Sequence, residues 1–156
     1  MPKKKIVYFD PFGTQTEAFD PAEIKRMIVD KNEDYWNSPV DTGTGMLEYY
    51  DLDVQPRPTA SLVLTMKNEA GFHINYTRNP SGYGSEFFVL VANDEFDDTI
   101  WVHAGGEKRR LARALFVSRA HALEAVTFFL DNGGMSPKIK WVPYNSIPWG
   151  DFEEFA

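Results

Sequence analysis

Cysteine is absent from the 156 residues. That single absence excludes disulfide frameworks, cysteine-ligated zinc and thiol nucleophiles, and it suits a reducing compartment such as the cytoplasm. Histidine is scarce. His73, His103 and His121 each stand alone, without the close spacing of a histidine-based metal site, so neither a metal nor another cofactor is expected. No uninterrupted apolar run approaches the roughly 18 residues that suggest a membrane span. The apolar segment from Ile6 to Phe9, behind Lys3, Lys4 and Lys5, meets Asp10 and Pro11 too early to be a signal peptide. Positive charge is in deficit, with 16 Lys and Arg against 23 Asp and Glu and a formal net charge of -7. A phosphate backbone requires clustered cations, so nucleic acid is a poor partner and a basic protein a better one.

What is present describes a globular chain. The length suits one domain over residues 1–156, and 43% hydrophobic with 15% aromatic residues is enough for a real core. Charge is polarised: residues 10–100 hold 17 acids and 6 bases, whereas residues 101–140 hold 3 acids and 7 bases. The first 60 residues read as an irregular cover with one short helix. Asp20-Pro21-Ala22-Glu23 has the form of a reciprocal cap with proline at the first helical position, and Ile24, Met27 and Ile28 share a face. Met46–Tyr50 is a strand candidate.

From Ser61 the period changes to two. Leu62, Leu64 and Met66, then Phe72, Ile74 and Tyr76, predict an antiparallel hairpin around the Asn68–Gly71 turn. Further strands are expected at Glu86–Val91, Thr99–His103 and Lys138–Val142, with a short extended piece at Leu115–Val117. Ser118 caps a helix to about Asp131, stopped by Gly133-Gly134. The sum is an α+β fold: a mainly antiparallel sheet of five or six strands with one or two helices packed on one face.

Few motifs carry chemistry. The Gly-rich segment Ser81–Ser85 lacks the lysine of a phosphate-binding loop, and no serine there is bracketed by glycines as a nucleophile elbow requires. Asp94, Glu95, Asp97 and Asp98 surround Phe96 between two strands without the glycine and glutamate of a calcium loop. The cluster reads either as a solvated loop or as a docking surface for a cationic protein, with Phe96 as an anchor. Tyr35 and Trp36, in a polar stretch, and Tyr83, in the Gly-rich loop, are the other interface candidates. Beyond the N-terminal lysines, Lys108, Arg109, Arg110 and Arg113 form the one basic run and read as a solvated loop or as partners of the acids. Trp101 and Trp141, on strands, are expected to pack.

Phe116–Leu130, followed by Gly133-Gly134, Pro137 and Trp141-Val142, together with Gly71–Tyr76 and the Gly105-Gly106 turn, resembles the type-one immunity protein family of bacterial polymorphic toxin systems. The likeness spans about residues 62–143. It implies a non-enzymatic, cytoplasmic antitoxin that binds a cognate secreted toxin, often a nucleic-acid deaminase, and occludes its active site or substrate groove. The resemblance transfers no catalytic residues; the interface candidates rest on charge and aromatic exposure. Two other readings stand beside it: a small α+β enzyme using a carboxylate with His73 or His103, and an adaptor or chaperone for a secreted effector.

Overall fold

Two eight-residue strands with alternating side chains explain the centre of the molecule. On β4 (Ala60–Lys67) and β5 (Gly71–Arg78), Leu62 pairs with Tyr76, Leu64 with Ile74 and Met66 with Phe72. The large apolar side chains therefore share one face, as the period of two requires. Gly71 closes the turn at φ 110°, and a Cβ there would strike the carbonyl oxygen of Val117, which accepts the Phe72 N–H at 2.8 Å.

The structure, a computed structural model, describes residues 3–17, 19–37, 44–80, 84–104 and 107–156. β1 (Lys4–Phe9), β2 (Gln15–Thr16), α1 (Pro21–Asp30), the one-turn α2 (Glu33–Trp36) and β3 (Gly45–Asp51) precede the hairpin. After it come β6 (Glu86–Leu90), β7 (Thr99–Ala104), β8 (Glu107–Ala112), α3 (Arg119–Asn132), β9 (Trp141–Pro143) and β10 (Glu154–Phe155). A seven-stranded antiparallel sheet runs β2-β1-β3-β4-β5-β6-β9, and a three-stranded sheet runs β10-β8-β7. The class is α+β, as the sequence predicts.

Both longer helices cover one face of the large sheet. Ile24 and Ile28 of α1 and Ala122, Val126 and Phe129 of α3 pack on Leu47, Leu62, Leu64, Phe72 and Ile74. The opposite face, at the β6 end, meets the small sheet: Val89 and Val91 pack with Ile100, Val102, Leu111, Phe116 and Phe152. Three layers result, and Val89 and Leu90 serve different cores because adjacent strand residues point to opposite faces.

The helix ends follow the sequence signals. Asp20 accepts the Ala22 N–H at 2.9 Å, although only its half of the expected reciprocal cap forms. Ser118 accepts the His121 N–H at 3.2 Å. Replacing Ser118 with alanine leaves that donor unmatched, so urea denaturation will show a loss of about 1 kcal/mol, with Ser118→Asp retaining most of the stability. Gly133 takes φ 72° after α3, its N–H donating to Phe129 O at 2.7 Å, and the ring of Tyr49 fills the space a side chain would need.

Several expectations are corrected. The strand expected at Met46–Tyr50 forms as β3, but the first 60 residues are not otherwise an irregular cover, because β1 pairs along its whole length with β3; on it Ile6 and Tyr8 alternate with Lys5 and Val7. The basic run is not a loop: Lys108, Arg109 and Arg110 lie on β8, which its neighbours β7 and β10 hold extended. Its arginines do pair with acids, Arg109 with Glu153 at 3.6 Å and Arg110 with Glu154 at 3.0 Å. The strand expected at Lys138–Val142 is confined to Trp141–Pro143. Trp141 packs against the main core, but Trp101 points outward and is 38% exposed, since the inward positions of β7 belong to Ile100 and Val102. The Gly105-Gly106 turn lies outside the described residues.

Candidate functional site

The acidic loop between β6 and β7 is pinned at both ends and in its middle. The Val91 N–H donates to Lys140 O at 3.0 Å, Ala92 N–H to Ala114 O at 2.8 Å, and Arg113 N–H to Asp98 O at 2.8 Å. Asn93 Oδ1 accepts the Glu95 N–H at 2.8 Å, a local turn that lifts the loop outward. Phe96 then drops back and stacks on the buried Phe152, with ring centroids 6.1 Å apart and planes 13° from parallel. Phe96 is thus half-buried and holds the loop down.

The four carboxylates divide into two kinds. Asp94 pairs with Lys140 at 2.7 Å and Asp98 with Arg113 at 3.4 Å. Glu95 and Asp97 are exposed and have no partner among the described residues. Outward field from this loop therefore comes mainly from Glu95 and Asp97, because the flanking charges are already neutralised by neighbours. Glu95, Asp97, Asp98 and Arg113 line a shallow concavity of about 350 Å³.

Tertiary contacts bring a second candidate to the same end. Arg113 also donates to Glu69 O at 3.4 Å, Glu69 pairs with Lys67 at 3.8 Å, and Lys67 pairs with Glu33 at 3.4 Å. Glu33 N–H donates to Asn68 Oδ1 and Glu33 Oε1 accepts the Asn68 N–H, at 3.1 and 3.2 Å. This ladder of alternating charge joins the acidic loop, the β4–β5 turn and α2, which carries Tyr35. The Tyr35 hydroxyl lies 2.7 Å from that of Tyr8, and its ring meets Phe12 edge-on at 5.7 Å. Burial raises the pKa of both phenols, so they stay protonated at neutral pH. Asp34 and the 46% exposed Phe12 complete the surface around Tyr35.

Trp36 does not belong to it. Its indole is wholly buried between Phe72 and Tyr35, and Nε1 donates to Met27 O at 3.2 Å; successive helical residues point about 100° apart, so the turn that leaves Tyr35 half-buried carries Trp36 into the core. Tyr83 lies outside the described residues. Sequence reasoning did not find Glu33, Lys67, Glu69, Arg113, Lys140 and Phe12 as parts of one surface. Nothing in the local pattern signals it, since the contacts join segments far apart in the chain.

The histidines are arranged for packing and exposure. His73 is buried beside Phe116, its Nδ1–H donating to Leu115 O at 3.0 Å. Burial, aided by the charge of Arg109, pushes its pKa down to about 4. His103 is exposed on β7, and neither histidine lines the concavity beside the acidic loop. Among the described residues no three His, Asp or Glu side chains converge to hold a metal, and no helix is long and apolar enough to cross a membrane.

No protein-family model, curated protein or solved structure matches the chain.

Proposed function

We propose that this chain is an immunity protein that binds a cationic toxin domain through its acidic end and blocks the toxin's active site or substrate groove by occupying it. The observation that carries the reading is the pairing of two unneutralised carboxylates, Glu95 and Asp97, with a loop fixed in advance by backbone hydrogen bonds and the Phe96–Phe152 stack. A preorganised loop loses little freedom on binding, and unpaired surface acids draw a cationic partner into encounter. A groove built for nucleic acid expects phosphates at regular intervals, and carboxylates placed there satisfy the same cations. Tyr35 and Phe12, beyond the charge ladder, supply an aromatic contact for the rim of such an interface. The resemblance to immunity proteins supports the same reading and points to a nucleic-acid deaminase toxin, with neutralisation in the cytoplasm.

Co-expression with the toxin domain encoded beside this chain tests it directly. Survival of the host and recovery of a stable complex are expected; death of the host with no complex sinks the proposal. Reversing both Glu95 and Asp97 to lysine will lower the association rate with that toxin by about tenfold or more at low salt, with a smaller effect at high salt. An unchanged rate at low salt removes the loop from the interface.

A further inference from the structure

We propose that the segment after β9, residues 144–156, is a strap that sets the shape of the acidic loop, with Phe152 and Arg110 as positioning residues. Its importance for binding rests on the docking function proposed above for that loop, whereas the coupling itself needs no toxin. The strap leaves the large sheet where β9 pairs with β6 and joins the small sheet where β10 pairs with β8. Between these points Ile147 and Phe152 are buried in the core that the two sheets share.

Backbone bonds fix Ala92 and Asp98 at the two ends of the loop. Between them, among the described residues, the polar and ring contacts to other segments are the Asp94–Lys140 ion pair and the stack of Phe96 on Phe152. Glu95 and Asp97, which have no such contact, are the chain neighbours of Phe96. The direction of that ring therefore governs both carboxylates: while it lies inward on Phe152, Glu95 and Asp97 are exposed. Phe152 is 2% exposed and also meets Trp149 at 5.7 Å, so it cannot move outward without emptying part of a packed core.

The strap takes its register from β8. β10 has only two residues, so its ladder is short, and charged side chains add to the hold. Arg110 Nε–H donates to Phe152 O at 2.8 Å and its Nη2 donates to Glu154 at 3.0 Å, while Arg109 pairs with Glu153 at 3.6 Å. One planar guanidinium thus fixes the backbone of Phe152 and the side chain two residues on, through charge-assisted bonds. Charge and position make opposite forecasts for this arginine. As a mere cation on an acidic protein, its removal strengthens attraction to a cationic toxin. As the holder of the strap, its removal loosens Phe152 and the loop that rests on it, and a loosened loop must be ordered again on docking.

The test uses the full chain, first without toxin. In Arg110→Ala, and in Phe152→Leu, which keeps an apolar core side chain but removes the ring, NMR relaxation will show the Glu95, Phe96 and Asp97 amides more mobile. The Ala92 and Arg113 amides, bonded to Ala114 O and Asp98 O, will stay protected from exchange. Arg110→Lys, which retains the charge and a donor, will restore much of the loop's order. With the toxin encoded beside this chain, both Arg110→Ala and Phe152→Leu will raise Kd by about fivefold or more. Phe152→Leu will leave the salt dependence as it is in the parent, because no charge changes. Unchanged loop mobility in Arg110→Ala and Phe152→Leu overturns the proposal, as does tighter toxin binding by Arg110→Ala. Loss of protection at Ala92 and Arg113 as well shows a general loosening and overturns the strap as a local device. If the parent itself binds no toxin, the immunity reading fails, and the mobility measurement still decides the strap.

Discussion

Trp36→Ala will destabilise the protein by about 3–5 kcal/mol, the range for removing a large aromatic side chain from a packed core. The indole is fully buried and lies edge-on to Tyr35 at 4.9 Å and to Phe72 at 5.9 Å. It fills the space above Gly45 so closely that a Cβ at that glycine would sit 2.7 Å from the ring. Its Nε1–H satisfies Met27 O, while Trp36 O accepts from the buried Thr65 hydroxyl at 3.3 Å. The backbone that must support such a cavity comes from α1, α2, β3 and β4, so it has little room to collapse. Urea denaturation should show a lower midpoint with an unchanged slope. Val29→Ala, on the exposed side of α1, serves as the control and should move stability by no more than about 0.5 kcal/mol. A loss below about 1 kcal/mol for Trp36→Ala would contradict the packing described for α2. The prediction also bears on the proposed interface, because the turn anchored by Trp36 carries Tyr35.

Acid will weaken the fold by a second large increment, through His73. In the unfolded chain an imidazole titrates near pH 6.5, whereas in the folded protein burial and the charge of Arg109 lower this value to about 4, against the opposing effect of the bond to Leu115 O. Above pH 6.5 both states are neutral and the full stability is present. Between pH 6.5 and 4 the unfolded state takes up a proton that the folded state excludes, so stability falls as pH falls. The total reaches about 3 kcal/mol near pH 4, at 1.36 kcal/mol per pKa unit. His73→Asn places an amide N–H near the position of Nδ1, keeps a donor for Leu115 O and lacks the titration. The difference in unfolding free energy between this variant and the parent should therefore change by that amount across the window. Parallel pH profiles for the two proteins would show that His73 is not held neutral.

The hairpin, the Ser118 cap and α3 were legible in the sequence because each depends on residues close along the chain. Alternation at Leu62, Leu64 and Met66 dictates one buried face whatever the sheet's extent, and Ser118 meets its partner three residues away. β1 was not legible for the opposite reason. Its six residues, led by Lys4 and Lys5, carry no turn that ties them to β3, and they become a strand because β3 offers a complete ladder of partners. The basic residues of β8 have weak strand propensity; pairing on both sides and the ion pairs to Glu153 and Glu154 override it.

The acidic loop shows the same division. Composition located Asp94, Glu95, Asp97 and Asp98 between two strands, but only long-range contacts determine that Asp94 and Asp98 are neutralised while Glu95 and Asp97 have no partner among the described residues. The sequence likewise placed Tyr35 and Trp36 together, and the helical turn then sends one to the surface and the other into the core.

By itself the sequence determined the α+β class, the acidic character, the central hairpin and the capped helix, because composition and short-range periodicity act before any distant partner is chosen. The tertiary structure decided the second sheet and which carboxylates face solvent unpaired, because strand order and ion pairing depend on which distant segments the two cores bring together.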